Sequence, residues 1–198
     1  MAIRSFLAFE LPLDIKKTVE EVLDQAKQYD LSIKWVPLMN IHLTVVFLGN
    51  IQEQDIPAIG EGIEKSCSQT ALFHISLDNM GCFPNKRNPR VLWLGLKGEI
   101  ERMSFFRDEL QNQLLPFGIT QEKRPFRPHL TLGRFKKSDK KNSLKVEKLI
   151  ESYQQVSGPE QILPELVQFR SDLRPGGAVY TKIASWPLAQ VKGIGQSA

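Results

Sequence analysis

Two short segments of this chain each place a histidine and a threonine two residues apart. The segments are His42-Leu43-Thr44-Val45 and His129-Leu130-Thr131-Leu132. Both are rich in apolar and β-forming residues, which predicts strands. Residues two apart on a strand share a face and lie about 6.6 Å apart along it, so each segment presents an imidazole and a hydroxyl together. Two imidazoles across a cleft suit paired acid and base catalysis, because a pKa of about 6.5 lets one be protonated while the other is neutral.

This pairing fits in-line attack at phosphorus, in which one histidine takes a proton from water and the other gives one to the departing oxygen. Thr44 and Thr131 are placed to donate hydrogen bonds to the phosphoryl oxygens. The chain has no glycine-rich P-loop, no G-x-S-x-G and no H-E-x-x-H. Two histidines without an adjacent acidic or cysteine pattern are too few for a zinc site. We therefore expect neither a catalytic metal nor a cofactor.

Composition is that of an ordinary globular protein: 198 residues, 41% hydrophobic and 24% charged. No apolar run is long enough for a membrane span, the N-terminus lacks the long apolar region of a signal peptide, and Cys67 and Cys82 fit no metal or disulfide pattern. A cytoplasmic protein is expected. The net charge of +4 favours polyanionic partners. Lysines and arginines concentrate between residues 123 and 148, around the second motif, although such a run can also be a solvated face.

Hydrophobic periodicity predicts the elements that position the two motifs. Strands are expected at 3–10, 33–36, 71–79 and 91–96, in both motif segments, and in a hairpin of 161–173 with 178–185. Helices are expected at 12–30, 53–67, 99–115 and 144–153, and loops at 81–90 and 138–143. Each half of this order supplies one motif strand, and no linker separates the halves. We predict one α+β domain of two lobes over residues 1–186, followed by a weakly ordered tail, 187–198.

The chain resembles a known family at these motifs and at several other places. The matching segments are Phe6-Leu7-Ala8-Phe9, Lys34-Trp35-Val36, Phe47-Leu48-Gly49, Gly81-Cys82-Phe83-Pro84, Val91-Leu92-Trp93 and Pro128. Together they are similar to the 2H phosphoesterase superfamily, and within it to the bacterial and archaeal RNA 2′,3′-cyclic phosphodiesterases, also called 2′-5′ RNA ligases. The resemblance implies two pseudo-symmetric lobes of antiparallel sheet flanked by helices, with both H-x-T-x strands in a central cleft.

The resemblance also implies an activity: opening of an RNA 2′,3′-cyclic phosphate to leave a 2′-phosphomonoester, without a metal. By that likeness His42 donates a proton to the leaving 3′ oxygen, His129 activates water, and Thr44 and Thr131 hold the phosphate. The implied partner is RNA with a 2′,3′-cyclic phosphate end; no membrane and no obligate protein partner is implied. From the residues alone, either histidine could take either role.

Four further residues are candidates for substrate contact. Arg134 is a family-like phosphate contact, but strict alternation puts it on the face opposite His129, so a twist or bulge after Gly133 is needed. Trp35, Phe9 and Phe47 could stack on RNA bases or belong to the core. His74, in His74-Ile75-Ser76, lacks the full motif and is interpreted as structural.

Two other functions use the same fold. A 2′-5′ ligase joining RNA halves needs the same residues in the reverse direction. A non-catalytic module that binds RNA ends would be marked by loss of a motif residue, and none is lost here.

Overall fold

The computed structural model describes residues 1–136, 140–156 and 158–190. Its strands are β1 Ala2–Phe9, β2 Ile33–Trp35, β3 Leu43–Gln52, β4 Phe73–Phe83, β5 Val91–Gly98, β6 His129–Phe135, β7 Gln161–Leu163, β8 Glu165–Arg174 and β9 Gly177–Pro187. Its α-helices are α1 Leu13–Lys27, α2 Ile56–Gln69, α3 Ile100–Leu114 and α4 Lys140–Ser152. Every predicted helix is present, although α4 begins four residues before the predicted start.

All nine strands join one sheet in which every strand pair is antiparallel. The order across the sheet is β7-β4-β5-β6-β3-β1-β8-β9, and β2 pairs with β6 beside this path. The two motif strands, β6 and β3, are the central neighbours. One half of the sheet, with β4, β5 and β7, thus flanks β6, and the other half, with β1, β8 and β9, flanks β3. The predicted α+β class with antiparallel strands is confirmed.

Within the sheet, the two halves meet where Leu43 of β3 pairs with Leu130 of β6. Each of these leucines directly follows a motif histidine. Both are fully buried, so the junction is anchored in the core while the residues on either side face the other way. The junction therefore sets the two motifs side by side.

The helices cover the face of the sheet opposite the motif side chains. Helix α1 is amphipathic and buries a stripe at helical spacing, Ile15, Val19, Val22, Leu23 and Ala26. Helices α2 and α3 pack against each other, and residues from both halves share one hydrophobic core. This shared core holds the two motif strands in a fixed relation. Within the described residues no helix is long and apolar enough to cross a membrane.

Several boundaries differ from the sequence-based expectation, and three of the differences concern a loop, a strand of the sheet and the C-terminal tail. Residues 81–83 continue strand β4, so the predicted loop is shorter. Pro164 divides the predicted strand 161–173: β7 pairs with β4 at one end of the sheet, whereas β8 pairs with β1 and β9 at the other. The predicted tail begins too early, because Leu188 is buried and Ala189 pairs with Ala71. Residues 191–198 lie outside the described part of the chain.

Candidate active site

The four motif side chains lie together on one face of the sheet. Antiparallel pairing of Leu43 with Leu130, continued by one residue in each direction, places His42 opposite Thr131 and Thr44 opposite His129. All four are partly buried. Neither threonine hydroxyl has a hydrogen-bond partner among the described residues, so both are free to bind a ligand. The site predicted from the two H-x-T segments is thus assembled at the junction of the halves.

Each motif histidine is tethered in the same way. The Nδ1 atom of His42 lies 2.8 Å from the carbonyl oxygen of Asn40, and that of His129 lies 2.7 Å from the carbonyl oxygen of Arg127. A carbonyl oxygen only accepts hydrogen bonds, so Nδ1 carries the proton in both rings. The Nε2 atom of each ring is then a bare base when the imidazole is neutral and a donor when it is charged. Both rings are therefore oriented for proton transfer through Nε2.

Burial and positive charge lower the pKa of both histidines. For His42, desolvation is the largest cause; the Asn40 carbonyl opposes it, and the charges of Arg134 and His129 lower the pKa further. For His129, desolvation again dominates, opposed by the Arg127 carbonyl and assisted by Arg134. In the free protein both imidazoles thus tend towards the neutral form at pH 7. A bound phosphate would raise both pKa values, because an anion favours the charged ring.

A β-bulge brings Arg134 onto the motif face. Against β5, Trp93 pairs with Thr131 but Leu92 pairs with Gly133, so Leu132 is the extra residue. Leu132 and Gly133 are both buried and Arg134 is exposed, which reverses the alternation. The side chain has no ion-pair or hydrogen-bond partner in the described residues. Its electrostatic effect on both histidines agrees with this placement, so the bulge that Arg134 required is present.

The other motif strand has a matching bulge. Along β1, Leu7 pairs with Val46 but Ala8 pairs with Thr44, so Val45 is the extra residue. Val45 and Val46 are buried, and Phe47 then emerges on the motif face with 66% of its surface exposed. Phe47 and Arg134 are each five residues after a motif histidine. The two halves are thus alike in backbone, and they differ in chemistry at this position: an aromatic ring in the half that carries His42 and a guanidinium in the half that carries His129.

Two of the three candidate stacking residues are placed away from the site. Phe9 is fully buried and packs against the rings of Phe73 and Phe106, so its prediction as a base platform is wrong. Trp35 pairs with Gly133, one residue from Arg134, and therefore faces the opposite side, where it lines a groove against α1. The prediction of Trp35 as a base platform is wrong as well. Phe47 is on the correct face.

Aromatic rings that the sequence reasoning did not assign surround both histidines. Phe6 stacks on His42 with ring centroids 4.7 Å apart, and the rings of Phe169 and Tyr180 lie 6.2 and 5.2 Å from it. These rings come from β1, β8 and β9. Phe6 belongs to a segment that carries the family resemblance, whereas the approach of Phe169 and Tyr180 depends on the order of strands in the sheet, which no local pattern reveals.

Fewer aromatic rings lie near His129 than near His42, and they come from β4 and β5. Phe83 meets it edge-on at 5.1 Å, and Trp93 lies at 6.3 Å. Both belong to segments that carry the family resemblance, which is the one signal that could have indicated them.

Lys34 is a further cation near the site. It pairs with Arg134 across β2 and β6 and therefore shares the motif face. A Cβ placed on Gly177 would lie 3.8 Å from its Nζ, so the ammonium lies beside the β8–β9 turn. The side chain is exposed. Arg134 and Lys34 together make this end of the site positive.

The third histidine lies elsewhere. His74 is exposed, its Nδ1 lies 3.3 Å from Oε1 of Glu160, and its backbone N–H donates to Glu99. These contacts agree with the structural interpretation. Cys67 and Cys82 are buried and free. Across the described ranges, no group of three or more His, Cys, Asp or Glu side chains is placed to hold a metal ion.

Several known proteins resemble this chain in sequence and in overall fold. An RNA 2′,3′-cyclic phosphodiesterase of Methanothermobacter thermautotrophicus is 33% identical over 95% of this chain and 100% of its own length. One of Thermotoga maritima is 32% identical over 89% of this chain and 91% of its own. Among solved structures, TT0787 of Thermus thermophilus matches with a TM-score of 0.79 and 26% identity, covering 96% of this chain and 100% of that one.

LigT of Escherichia coli, at 23% identity, shares the fold with a TM-score of 0.73 over 96% of this chain and 99% of its own. The family model of the 2′-5′ RNA ligase superfamily matches residues 11–164, a range that contains both motif strands and the bulge after each. The chain therefore belongs to the 2′-5′ RNA ligase superfamily.

Proposed function

We propose that this protein hydrolyses the 2′,3′-cyclic phosphate ends of RNA to 2′-phosphomonoesters, using two histidines and no metal. The observation that carries the proposal is the shared face of His42, Thr44, His129 and Thr131, with both histidines tethered at Nδ1 and free at Nε2. Two relatives that are 33% and 32% identical over most of their length are RNA 2′,3′-cyclic phosphodiesterases, which supports the same substrate here.

Each residue of the site has a role in this reaction. His129 removes a proton from water through Nε2, and the oxygen attacks phosphorus while the bond to the 3′ oxygen breaks. His42 donates the Nε2 proton to that oxygen. The face of Phe6 lies against the His42 ring, and an aromatic face attracts a cation, which supports His42 as the residue that enters the reaction charged.

The remaining contacts hold the phosphate and the nucleoside. Thr44 and Thr131 donate to the non-bridging oxygens, and the guanidinium of Arg134 neutralises charge that develops on them. Phe47 offers an exposed ring on the same face for the terminal base. Positive charge at one end of the site and an aromatic ring at the other would orient the cyclic nucleotide in the cleft.

The ligase direction uses the same atoms, with a 5′-hydroxyl in place of water. A non-catalytic RNA-end-binding module is disfavoured, because all four motif side chains are present and both histidines are oriented for proton transfer.

Metal independence is the first expected result. Adenosine 2′,3′-cyclic phosphate should be hydrolysed at an unchanged rate in EDTA, because the proposed proton transfers and charge stabilisation come from side chains. The assay is chromatographic separation of substrate and monophosphate over time. Loss of activity in EDTA with recovery on adding a divalent ion would contradict the mechanism.

RNA longer than a dinucleotide should bind in a salt-sensitive way. Lys34 and Lys136 are exposed near Arg134; Lys137 and the side chains of Lys140 and Lys141, also in the basic run, lie outside the described part. Each phosphate contact contributes about 0.7 to the slope of log affinity against log salt for a single strand. Lys34→Glu with Lys136→Glu should therefore reduce that slope by about 1.4 in a filter-binding titration.

The matched control is Lys65→Glu, an exposed lysine on helix α2. Its slope should equal that of the unaltered protein. Equal slopes for the double variant and the unaltered protein would favour a solvated face without a role in RNA binding.

A further inference from the structure

The segment that leads into β6 has little backbone support of its own. Residues 119–128 form neither helix nor strand, and within the described chain they make no hydrogen bond to another backbone group. Yet the carbonyl oxygen of Arg127, near the end of this segment, lies 2.7 Å from Nδ1 of His129. The orientation of the His129 ring therefore depends on how precisely side chains hold this segment.

The tether of His42 is built differently. Asn40 lies in a 3₁₀ turn that closes on itself, because the backbone N–H of Asn40 donates to the carbonyl of Pro37. The Asn40 side chain also donates to the carbonyl of Ala178 in the β8–β9 hairpin. The carbonyl that orients His42 is thus fixed by its own turn and by the hairpin, whereas the tether of His129 needs other support.

Two buried polar side chains of helix α3 supply that support. Gln111, which is 4% exposed, accepts a hydrogen bond at Oε1 from the backbone N–H of Glu122, at 2.6 Å. Arg107, which is 8% exposed, donates from Nη1 to the carbonyl of Arg124, at 3.2 Å. The two residues are four apart and therefore lie on one face of the helix. Together they bind the segment at two backbone groups.

Arg107 makes two further contacts that fix its own position. Its Nε and Nη2 atoms donate to Oδ1 of Asp108 at 2.9 and 2.6 Å, and its guanidinium lies 5.2 Å from the centre of the Phe126 ring. Burying a charge is costly unless it is paired, and the carboxylate and the aromatic face both offset that cost. Phe126 immediately precedes Arg127, so these contacts reach the residue next to the tethering carbonyl.

We propose that Arg107 and Gln111 are positioning residues for His129, acting through segment 119–128 on the carbonyl of Arg127. That carbonyl accepts the Nδ1 proton, which leaves Nε2 bare to remove a proton from water. The effect on rate rests on the proposed function, whereas the effect on the ring does not. The pKa of His129 is shifted by desolvation, by this carbonyl and by Arg134, so Arg107 acts through the segment and not through its charge.

The direct test is the tautomer of each histidine ring, measured by long-range ¹H–¹⁵N NMR at alkaline pH, where the rings are neutral. The chain has three histidines, and alanine variants of His42 and His74 assign the signals. In the unaltered protein His129 should carry its proton on Nδ1. Methionine is flexible and fills irregular space without a strong hydrogen-bonding group. Arg107→Met and Gln111→Met should therefore each give mixed tautomers at His129 and leave His42 unchanged.

Arg102 provides a matched control on the same helix. Like Arg107, it pairs with a carboxylate, that of Glu99, and it lies over an aromatic ring, that of Phe73. It also donates to a backbone carbonyl, that of Ala71, but in the connection from α2 to β4 rather than beside a motif strand. Arg102→Met should therefore leave the His129 tautomer and kcat unchanged.

Turnover of adenosine 2′,3′-cyclic phosphate supplies the second readout. Arg107→Met should lower kcat by about 10- to 100-fold, because misplacing a catalytic group by about 1 Å can cost about 10²-fold. KM should change little, since the phosphate contacts of Thr44, Thr131 and Arg134 remain. Arg107→Lys keeps a donor for the carbonyl of Arg124 and should retain part of kcat and of the Nδ1 tautomer.

Two outcomes would overturn the positioning role. One is a His129 tautomer and a kcat that equal those of the unaltered protein in Arg107→Met and Gln111→Met; if one of these variants fails to fold, the other decides. The second is an equal change in Arg102→Met. Absence of hydrolysis by the unaltered protein would overturn the proposed function, and the tautomer measurement would still decide whether the two α3 residues position the ring.

Discussion

Replacing either motif histidine with alanine is expected to lower turnover of adenosine 2′,3′-cyclic phosphate by about 10²–10⁴-fold, the usual effect of losing a general acid or base. His42 and His129 lie on the open face of the sheet, one on each side of the junction. In the proposed mechanism each transfers a different proton through Nε2, so neither can replace the other. Steady-state rates measured near pH 7 for the two variants and the unaltered protein provide the comparison.

The fold should survive both substitutions, because the residues that anchor the junction are the buried leucines that follow each histidine. Thermal unfolding of the variants should therefore resemble that of the unaltered protein. His74→Ala is the matched control, since His74 is exposed and lies outside the site. Equal loss of turnover in a folded His74→Ala variant would mean that the wrong pair of histidines has been assigned.

Arg134→Leu should lower turnover by about 10²–10³-fold, the range found for loss of one group that stabilises transition-state charge. It should also move the pH profile. The positive charge of Arg134 lowers the pKa of both His42 and His129, so its removal raises both. The proposed mechanism requires one neutral and one protonated imidazole, and both limbs of the bell-shaped profile of kcat/KM should therefore shift to higher pH.

Arg134→Lys separates the two effects. Lysine keeps the charge, so the limbs should stay near their original pH, but it lacks the planar fork that binds two phosphate oxygens, so part of the rate should still be lost. Limbs that stay fixed in Arg134→Leu, or that move to lower pH, would show that the guanidinium does not act on the histidines. The limbs belong to the coupled pair rather than to either residue alone.

The motif residues could be predicted from sequence because their positions depend on local periodicity. Alternation along a strand places His42 with Thr44 and His129 with Thr131, and burial of the intervening leucines follows from the same rule. The amphipathic stripe of α1 is equally local. Both patterns predict the buried residues correctly, because each depends only on which face of its own strand or helix packs against the core.

The residues beyond the motifs could not be placed by alternation, because a bulge after each threonine reverses it. Arg134 could be predicted only with the condition of a bulge, and Phe47 gains its exposure from the equivalent bulge in β3. Strand β1 has no bulge, so alternation continues along it and the side chain of Phe9 lies in the core. The prediction for Trp35 is wrong for a different reason. The face on which Trp35 lies is set by the register of β2 against β6, which no local pattern encodes.

The separation of β7 from β8 is likewise non-local. Pro164 interrupts an otherwise continuous strand pattern, and the two pieces then pair at opposite ends of the sheet. Proline cannot donate to a strand ladder, which is a sequence signal for such a break. Which strand β7 and β8 each pair with depends on which strands of the sheet still have an unpaired edge.

The position of the phosphate in the product tests the opposed arrangement of the two histidines most directly. In-line attack by water activated at His129 expels the oxygen protonated by His42, which the proposed orientation makes the 3′ oxygen. Chromatographic separation of adenosine 2′-phosphate from adenosine 3′-phosphate, after complete hydrolysis of the cyclic substrate in EDTA, should give the 2′ isomer almost alone. A dominant 3′ isomer would contradict the assigned roles and require that the substrate bind in the opposite sense.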